Sequence, residues 1–570
     1  MGSGPADILL RALALGGTRL LFGLPGGGPN LDVIGAAASA HMRFILTHSE
    51  TAAVIMAATS ADLTGATGAA LVTRGPGLAS AMNGIAHAAL DRLPVIVIAD
   101  SIPGHDARRI SHQRLDQHSL SSAVAKMAVT VHCDADEAVV GRAVEAAVAQ
   151  PPGPVVVTMD PGPARTSTLS ARPEAAAVSK VVADPAAGLA SHLAPLAAAL
   201  ASAERPLIIV GADAIPHTAG LRSALVRSGI PVLHTYRARG VMPDSASEAA
   251  GLITGGTMEW PLLAAADLIV GIGVDAVELI PATWDYAAHV MLVSEVPTTS
   301  AEYFTGASEL VVSLSAAIAL LRRHVRSSSW PAMVGQAAKA EVTSRLLAAA
   351  VSGPGLMSPI QVVTTVRACT PRNTIATVDA GAHMLAVMPL WEVDEPHQLL
   401  ISSGLATMGY ALPAAIAASL CESGVPVVAF TGDGGLGLTL AEIETAVRLR
   451  LPVIVIVFND SALSLIKIKQ RPAGQGDEAA VSYGEVSFAQ AARALGADGS
   501  TVRDTRSLAD ALTAALARNA PTVIDAMIDP GCYPRVLDLT RGAAGREGGQ
   551  RFSDQYLAVS QKSAGRLECG

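Results

Sequence analysis

Val427-Val-Ala-Phe-Thr-Gly432-Asp-Gly-Gly435 runs a β-branched segment into a glycine turn. A helical stretch with Leu438, Leu440, Ile443 and Val447 follows. Arg450-Leu-Pro-Val-Ile-Val-Ile456 then opens a second apolar run that reaches Asn459-Asp460-Ser461. A continuous run of Val and Ile bounded by such turns is the pattern of a parallel strand covered by helices on both faces. The segment therefore reads as strand, crossover helix, strand.

The chain repeats this pattern earlier. Ala70-Leu-Val-Thr-Arg-Gly75-Pro-Gly77 is followed by a helical stretch and by Arg92-Leu-Pro-Val-Ile-Val-Ile98. Two generic crossover units would share the order of elements, but the common Leu-Pro-Val-Ile-Val-Ile at near-equal spacing favours duplicated domains. Similar runs recur at Ala69–Thr73, Pro94–Ala99, Pro154–Met159, Pro206–Val210, Leu268–Ile272, Thr374–Val378, Val427–Phe430, Pro452–Phe458 and Thr522–Ala526, alternating with Ala-rich helical stretches. The fold class is α/β, with three doubly wound parallel-sheet domains, the first and third duplicates. Pro161–Pro185 reads as a linker, and Arg326–Pro354 as a second sparse region. The expected domains are 1–165, 190–330 (Rossmann-like) and 355–540, with 541–570 a tail or lid.

Length and composition agree with this division. At roughly 100–200 residues per domain, 570 residues suggest about three. Hydrophobic residues make up 50% and charged residues 16%, which excludes a disordered chain. The net charge of −9 with no basic run argues against a nucleic-acid partner. Gln398–Cys421 is uncharged and long enough to span a bilayer, but Ser402, Ser403, Gly404, Gly409 and Pro413 interrupt it. It is read as a buried loop followed by a helix, not as a membrane segment. Five scattered cysteines without a CxxC pair indicate neither a disulfide framework nor a zinc site. No leader is expected, so the expected location is cytoplasmic.

A strand that ends in Gly432-Asp433-Gly434-Gly435 and opens a helix offers backbone N–H groups to a diphosphate. Asp433 adds a hard oxygen ligand, and Mg²⁺ commonly bridges one or two carboxylates and phosphate oxygens. The next strand returns Asn459-Asp460 to the same sheet edge, where ligands of parallel sheets bind. Gly-Asp-Gly alone is a common turn; the oxygen-rich partner one unit later makes it informative.

On these residues the chain resembles the thiamine-diphosphate-dependent enzymes of the acetolactate synthase and pyruvate decarboxylase type. Their signature is Gly-Asp-Gly, about two dozen residues, then Asn-Asn or a variant; Asn459-Asp460 is a variant. The resemblance implies Asp433, Asp460 and the carbonyl of Ala462 as metal ligands, with Leu463, Ser464 and Leu465 beside the cofactor. The Asn-Asp-Ser form is similar to that of catabolic acetolactate synthases. Thr47-His-Ser-Glu50 matches the position of the family's catalytic acid, whose carboxyl group bonds N1′ of the aminopyrimidine. Judged alone, Glu50 is only an acid well placed in a helix first turn.

Further matches cover most of the chain. Gly23-Leu-Pro25-Gly26-Gly27 is similar to the Gly-rich loop near the reacting carbon, which makes Gly27 a catalytic candidate. Gly381-Ala382-His383 resembles a diphosphate-binding Gly-Gln-His. Gly404-Leu-Ala-Thr-Met408-Gly resembles the segment whose methionine wedges under the cofactor, although Met408 also suits a plain core position. Gln113, in His112-Gln-Arg-Leu-Asp116, lies where relatives carry an active-site glutamine. The middle domain lacks Gly-x-Gly-x-x-Gly, so FAD is not expected, and Asp275 and Glu278 read equally as strand-end acids.

The resemblance implies a decarboxylating carboligase of the acetolactate synthase kind that acts on a 2-oxo acid with thiamine diphosphate and Mg²⁺. A homodimer would be its minimum unit and a tetramer is expected, because the family's glutamate and Gly-Asp-Gly come from different subunits. With Lys467 and Lys469 read either as solvated lysines or as contacts to an acidic substrate, another lyase or decarboxylase (2-hydroxyacyl-CoA lyase, oxalyl-CoA or 2-oxo acid decarboxylase type) stays open. So does a non-catalytic relative.

Overall fold

Each of the Val/Ile runs becomes a strand, and the strands assemble into three sheets. The computed structural model describes residues 4–103, 106, 109–132, 134, 137–161, 169–171, 188–324, 328–470 and 477–542. In the first sheet the strands lie in the order 43–46, 20–24, 68–72, 95–100, 155–160, 127–132, 169–171; in the third, the order is 399–401, 375–378, 427–432, 453–459, 522–527, 498–502. Numbered along each sheet's own sequence, the first six strands follow one order, 2-1-3-4-6-5, in both. The internal echo thus extends to topology. All pairings are parallel except the short 127–132/169–171 pair. Crossover helices bury both faces, so the strands carry apolar side chains in both directions.

The second sheet runs 249–252, 232–234, 206–210, 268–272, 289–294, 308–311, the order 3-2-1-4-5-6 of dinucleotide-binding folds. Its switch point lies between 206–210 and 268–272. There Gly211 packs backbone to backbone on the next strand end, with a Cβ on it falling 2.2 Å from the Gly273 carbonyl oxygen. Glu278 accepts the Ala212 N–H at 3.0 Å and the Thr235 hydroxyl, and burial pushes its carboxyl up to about 7. Asp275 ion-pairs with Arg92 of the first sheet's unit at 2.7 Å.

The first and third units dock through two Ala-rich helices, Glu50–Thr64 and Ala411–Cys421, which share one continuous core. Most positions of both are apolar and buried, as helices packed on several sides require. The small side chains Ala53, Ala57, Ala414 and Ala418 are fully buried. Gln398–Cys421 becomes the strand Leu399–Ile401, a turn and the 11-residue helix Ala411–Cys421. Among the described residues no helix is long and apolar enough to cross a membrane.

One sequence expectation changes. The stretch 326–354 contains a helix, Val334–Ala348, built from good helix formers whose mixed surface gives no clear apolar stripe. Most of 161–185, and the tail from residue 543 onward, lie outside the described residues.

Candidate functional site

Three neighbouring strands of the third sheet end at one place. Strand 375–378 leads to Asp379 and Gly381–His383, strand 427–432 to the Gly432–Gly435 turn, and strand 453–459 to Asp460. The Asp433–Thr439 helix starts on this edge, where first-turn N–H groups have no backbone acceptor within the helix and the Gly434 N–H is taken by the Asp433 carboxylate. His383 stacks on Phe458, ring centroids 5.2 Å apart. Burial pushes the imidazole down to about 4, so it is neutral. Its Nε2 is buried without a hydrogen-bond partner. An orphaned ring nitrogen beside a Gly-rich helix start fits a group bearing phosphate oxygens.

Gly435 is sterically required here, and Gly434 is tightly packed. A Cβ on Gly435 would fall 2.3 Å from Asp379 Oδ2, and one on Gly434 would crowd Leu463, Tyr483 and Met408 at 3.1–3.2 Å. Met408 and Leu463 therefore converge over Gly434. Ala382 is buried in the core beneath, and Leu465 packs on the same cluster.

Asp433 and Asp460 face each other across the two turns. Asp433 accepts the Ala462 N–H at 3.0 Å and the Gly434 N–H at 2.6 Å; burial nevertheless pushes its carboxyl up. Asp460 takes the Ser464 hydroxyl and rises to about 7, because it is buried and feels the charge of Asp433. The Ala462 carbonyl accepts the Ser464 N–H and keeps a second lone pair. Two confined carboxylates whose proton affinity is raised fit a hard divalent cation. Among the described residues no group of three His, Cys, Asp or Glu side chains gathers to hold a metal by itself. The pair thus suits Mg²⁺, which completes its shell with phosphate oxygens and water.

The first sheet gathers a second cluster. Ser49 caps the helix Glu50–Thr64 by accepting the Ala52 N–H at 3.0 Å, placing Glu50 half-buried in its first turn. The Glu50 carboxylate reaches Gly77, where a Cβ would sit 3.4 Å from Oε1. Pro25–Gly28 forms the loop before the helix Pro29–Ser39. Gly26 donates to Asn30 at 2.7 Å and abuts Thr73 so closely that a Cβ would collide with its hydroxyl, whereas Gly27 is exposed with open space around it. Asp100 binds the cluster together through Arg74 (backbone 2.7 Å, side chain 3.0 Å) and Asn30 (3.3 Å).

Two of the expected site residues make other contacts within the chain. Gln113, at φ +56°, turns its carbonyl rather than its amide to Gly75, and its side chain is exposed. The amide packed into the cluster is Gln117, which accepts the Gly75 N–H at 2.7 Å and donates to the Asp100 carbonyl at 3.0 Å. Gly404 lies on the seam between units: a Cβ there would meet Leu90, Val277 and Asp91 within 3 Å, and its N–H donates to Asp91. It sets the start of the turn that delivers Met408 four residues later.

Sequence reasoning missed several residues that position these groups. Asp379, pushed up to about 6 by burial, accepts the Ala411 N–H at 2.8 Å and the Thr431 hydroxyl, tying the Met408 turn to the Gly-Asp-Gly turn. Its signal was an acid two residues before Gly381-Ala-His383. Glu442, 1% exposed, accepts the backbone N–H groups of His48 and Ser49 at 2.9 and 3.0 Å. Arg448 of the same helix donates to the Leu46 carbonyl at 2.7 Å. The helix Glu442–Leu449 of the third unit thus holds the segment that carries Glu50. Nothing local in the sequence marks Glu442 or Tyr483.

Comparison with known proteins agrees with this geometry. Three domain models of the thiamine pyrophosphate enzymes match the chain: the N-terminal binding domain at residues 5–120, the central domain at 193–320 and the C-terminal binding domain at 379–526. The chain is 28% identical to the acetolactate synthase of Bacillus subtilis, over 97% of each chain. It is 29% identical to a catabolic acetolactate synthase of Raoultella terrigena (92% of this chain, 95% of the relative) and 28% identical to a 2-hydroxyacyl-CoA lyase of rice (91% and 94%). A thiamine diphosphate-dependent 4-hydroxybenzoylformate decarboxylase of Rhodococcus jostii shares the fold, with a TM-score of 0.76 at 19% identity, covering 92% of this chain and 99% of its own. With an orphaned histidine, a Gly-rich helix start and a carboxylate pair on the sheet edge of the third of those domains, this chain belongs to the family of thiamine diphosphate-dependent enzymes.

Proposed function

We propose that the protein is an acetolactate-synthase-like carboligase that decarboxylates a 2-oxo acid and joins the remaining fragment to a second carbonyl compound, using thiamine diphosphate and Mg²⁺. The observation that carries this reading is the convergence of His383 Nε2, the Gly432–Gly435 turn, the Asp433–Asp460 pair and Met408 on one sheet edge. His383 and the N–H groups of that turn would hold the diphosphate; Asp433, Asp460 and the Ala462 carbonyl would hold the metal. Thiamine diphosphate, when bound, supplies the nucleophilic carbon and the electron sink that decarboxylation requires. Met408, Leu463 and Leu465 would keep water from the cofactor's reacting carbon, and Glu50 would hold the proton shared with its aminopyrimidine.

In one chain Glu50 belongs to the first unit's cluster and Asp433 to the third's. Large exposed apolar residues flank both: Leu31, Leu46 and Leu115 near the first, Leu438, Ile466 and Tyr483 near the third. Such surface suits pairing with another copy, and the proposal is a cytoplasmic homodimer, or a tetramer built from it, in which Glu50 of one chain faces Asp433 of the other. Lys467, which pairs with Glu478, is engaged within the chain.

The test is turnover of pyruvate by purified protein, following CO₂ and acetolactate with and without thiamine diphosphate and Mg²⁺. Turnover that needs both, with acetolactate as product, is the expected result. Cofactor binding with untouched pyruvate would overturn the substrate reading, and bulkier 2-oxo acids and 2-hydroxyacyl-CoA esters would follow.

Glu442 offers a separate prediction. Glu442→Ala leaves the part-buried His48 and Ser49 N–H donors without their acceptor, at a cost below the about 1–3 kcal/mol of a fully buried donor, and frees the segment bearing Glu50. It is expected to lower kcat about 10-fold, as a misplaced reacting group does, with KM nearly unchanged. Glu442→Gln retains an acceptor oxygen and should recover most of the loss. Equal loss in KM and kcat, or no rescue by Gln, would reduce Glu442 to a general stabilising contact.

A further inference from the structure

A cavity of about 410 Å³ lies on the seam between the second sheet's unit and the C-terminal helix Tyr533–Arg541. That volume falls within the roughly 300–1,000 Å³ of small-molecule sites. Trp260, Trp284, Tyr286 and Tyr303 line one part of it, and Lys469 and Arg541 reach it from the third unit. The aromatic wall is fixed: Trp284 packs edge-on against Tyr286 at 4.7 Å and Phe304 at 4.5 Å, and the Tyr303 hydroxyl donates to the Ile280 carbonyl at 3.0 Å.

The cationic side is fixed as well. Thr254 and Thr257 donate to the carbonyls of Thr540 and Leu539 at 2.7 and 2.8 Å. Gly256 lies so close beneath that a Cβ would fall 2.1 Å from the Thr540 oxygen. This clasp sets the last turn of the helix, and Arg541 with it.

Two donors on the lining residues stand without an acceptor, while Thr254 and Gly256 are satisfied by the buried Glu259. The Trp284 indole N–H and the Arg541 Nε–H are both buried and have no hydrogen-bond partner. The Tyr236 hydroxyl bonds Arg541, yet among the described residues neither Arg541 nor Lys469 has an ion-pair partner. Buried donors are nearly always satisfied, so two orphans among the residues of one cavity mark where an acceptor belongs. Flat aromatic walls mark where a ring belongs.

We propose that this cavity binds an aromatic carboxylate, its ring against Trp284 and the tyrosines and its carboxylate on Arg541 and the Trp284 N–H, with Lys469 adding positive charge. Planar Arg is suited to a carboxylate through paired donors. The helix Ser464–Gln470, which carries Lys469, starts two residues after Ala462, so an occupant sits close to the cofactor-holding segment. The inference does not depend on the roles of Glu50 or Asp433.

Two of the chain's four tryptophans line the cavity, so binding is read by fluorescence on the full-length protein, with no cofactor added. Benzoate and phenylpyruvate are expected to quench saturably, whereas benzamide (ring without charge) and acetate (charge without ring) are expected to bind at least 10-fold more weakly. Arg541→Gln is expected to weaken benzoate at least 10-fold and leave benzamide unchanged. Lys469→Gln, on an exposed position, is expected to weaken it by a smaller factor and keeps the test decisive if Arg541→Gln fails to fold. Absence of saturable binding, equal binding of benzamide and benzoate, or affinity unchanged in both variants would overturn the proposal. With thiamine diphosphate and Mg²⁺ present, consumption of phenylpyruvate with KM raised by Arg541→Gln identifies the occupant as substrate. Benzoate that alters pyruvate turnover without being consumed identifies it as effector; either result supports the site.

Discussion

Glu50→Gln is expected to reduce 2-oxo acid decarboxylation by about 10²–10⁴-fold, the range that positioned proton transfer contributes, while fold and cofactor affinity stay close to those of the parent. The substitution is isosteric and keeps a hydrogen-bonding oxygen, so contact with the ring nitrogen survives; exchange of a proton does not. Glu50 sits in the first turn of a helix already capped by Ser49, and removing its charge costs only about 0.3–1 kcal/mol of helix-dipole interaction. That is too little to unfold three cores of this size. The expected signature is a loss in kcat with melting temperature and thiamine diphosphate affinity nearly constant, measured by CO₂ release, calorimetric scanning and titration. A loss under 10-fold would remove Glu50 from the proton transfer and leave it the dipole-favourable acid that its sequence position alone suggests.

The fold was legible because buried parallel strands write themselves as continuous Val/Ile runs, and the repeated Leu-Pro-Val-Ile-Val-Ile exposed the duplication. Strands such as 43–46, 232–234 and 399–401 were not anticipated. They are three or four residues long, and a run that short is hard to separate from a loop or a helix fragment. The candidate site was legible where its proposed chemistry is concentrated in a short motif: Gly432–Gly435 with Asp460, and Glu50 through family resemblance. It was not legible where a residue acts at long range. Glu442 meets His48 and Ser49 across some 390 positions of sequence, and Gln117 rather than Gln113 faces Gly75 because the loop turns at Gln113 through a positive φ. Gly404 reads as a cofactor contact because it belongs to a motif with Met408; that its lack of a side chain is also required by Asp91, Leu90 and Val277 shows only in the packing. A motif transfers the order of residues, while the surface each one faces is decided by tertiary packing.

A comparably large effect is expected at Asp433, with opposite signs for stability and function. Asp433 and Asp460 hold two carboxylates in a confined space, where burial raises both and the charge of Asp433 makes ionisation of Asp460 harder still. Asp433→Asn relieves that repulsion, so the cofactor-free variant should melt at or above the parent's temperature. It should also lose Mg²⁺-dependent binding of thiamine diphosphate and at least about 10²-fold in activity, since it withdraws charge where the metal and diphosphate meet. Asp460→Asn keeps a side-chain oxygen donor and recreates the family's Asn-Asn form, so a milder loss is expected there. Removing the metal from the parent with a chelator should reproduce the Asp433→Asn defect, with recovery on added Mg²⁺. Combining the two inactive variants then tests where the site is assembled. If Glu50 of one chain acts on the cofactor held by Asp433 of the other, co-expressed Glu50→Gln and Asp433→Asn chains form mixed dimers with one intact site, and random pairing restores about a quarter of parental activity. If both residues served one site within a chain, every site in the mixture would carry a defect and no activity would return.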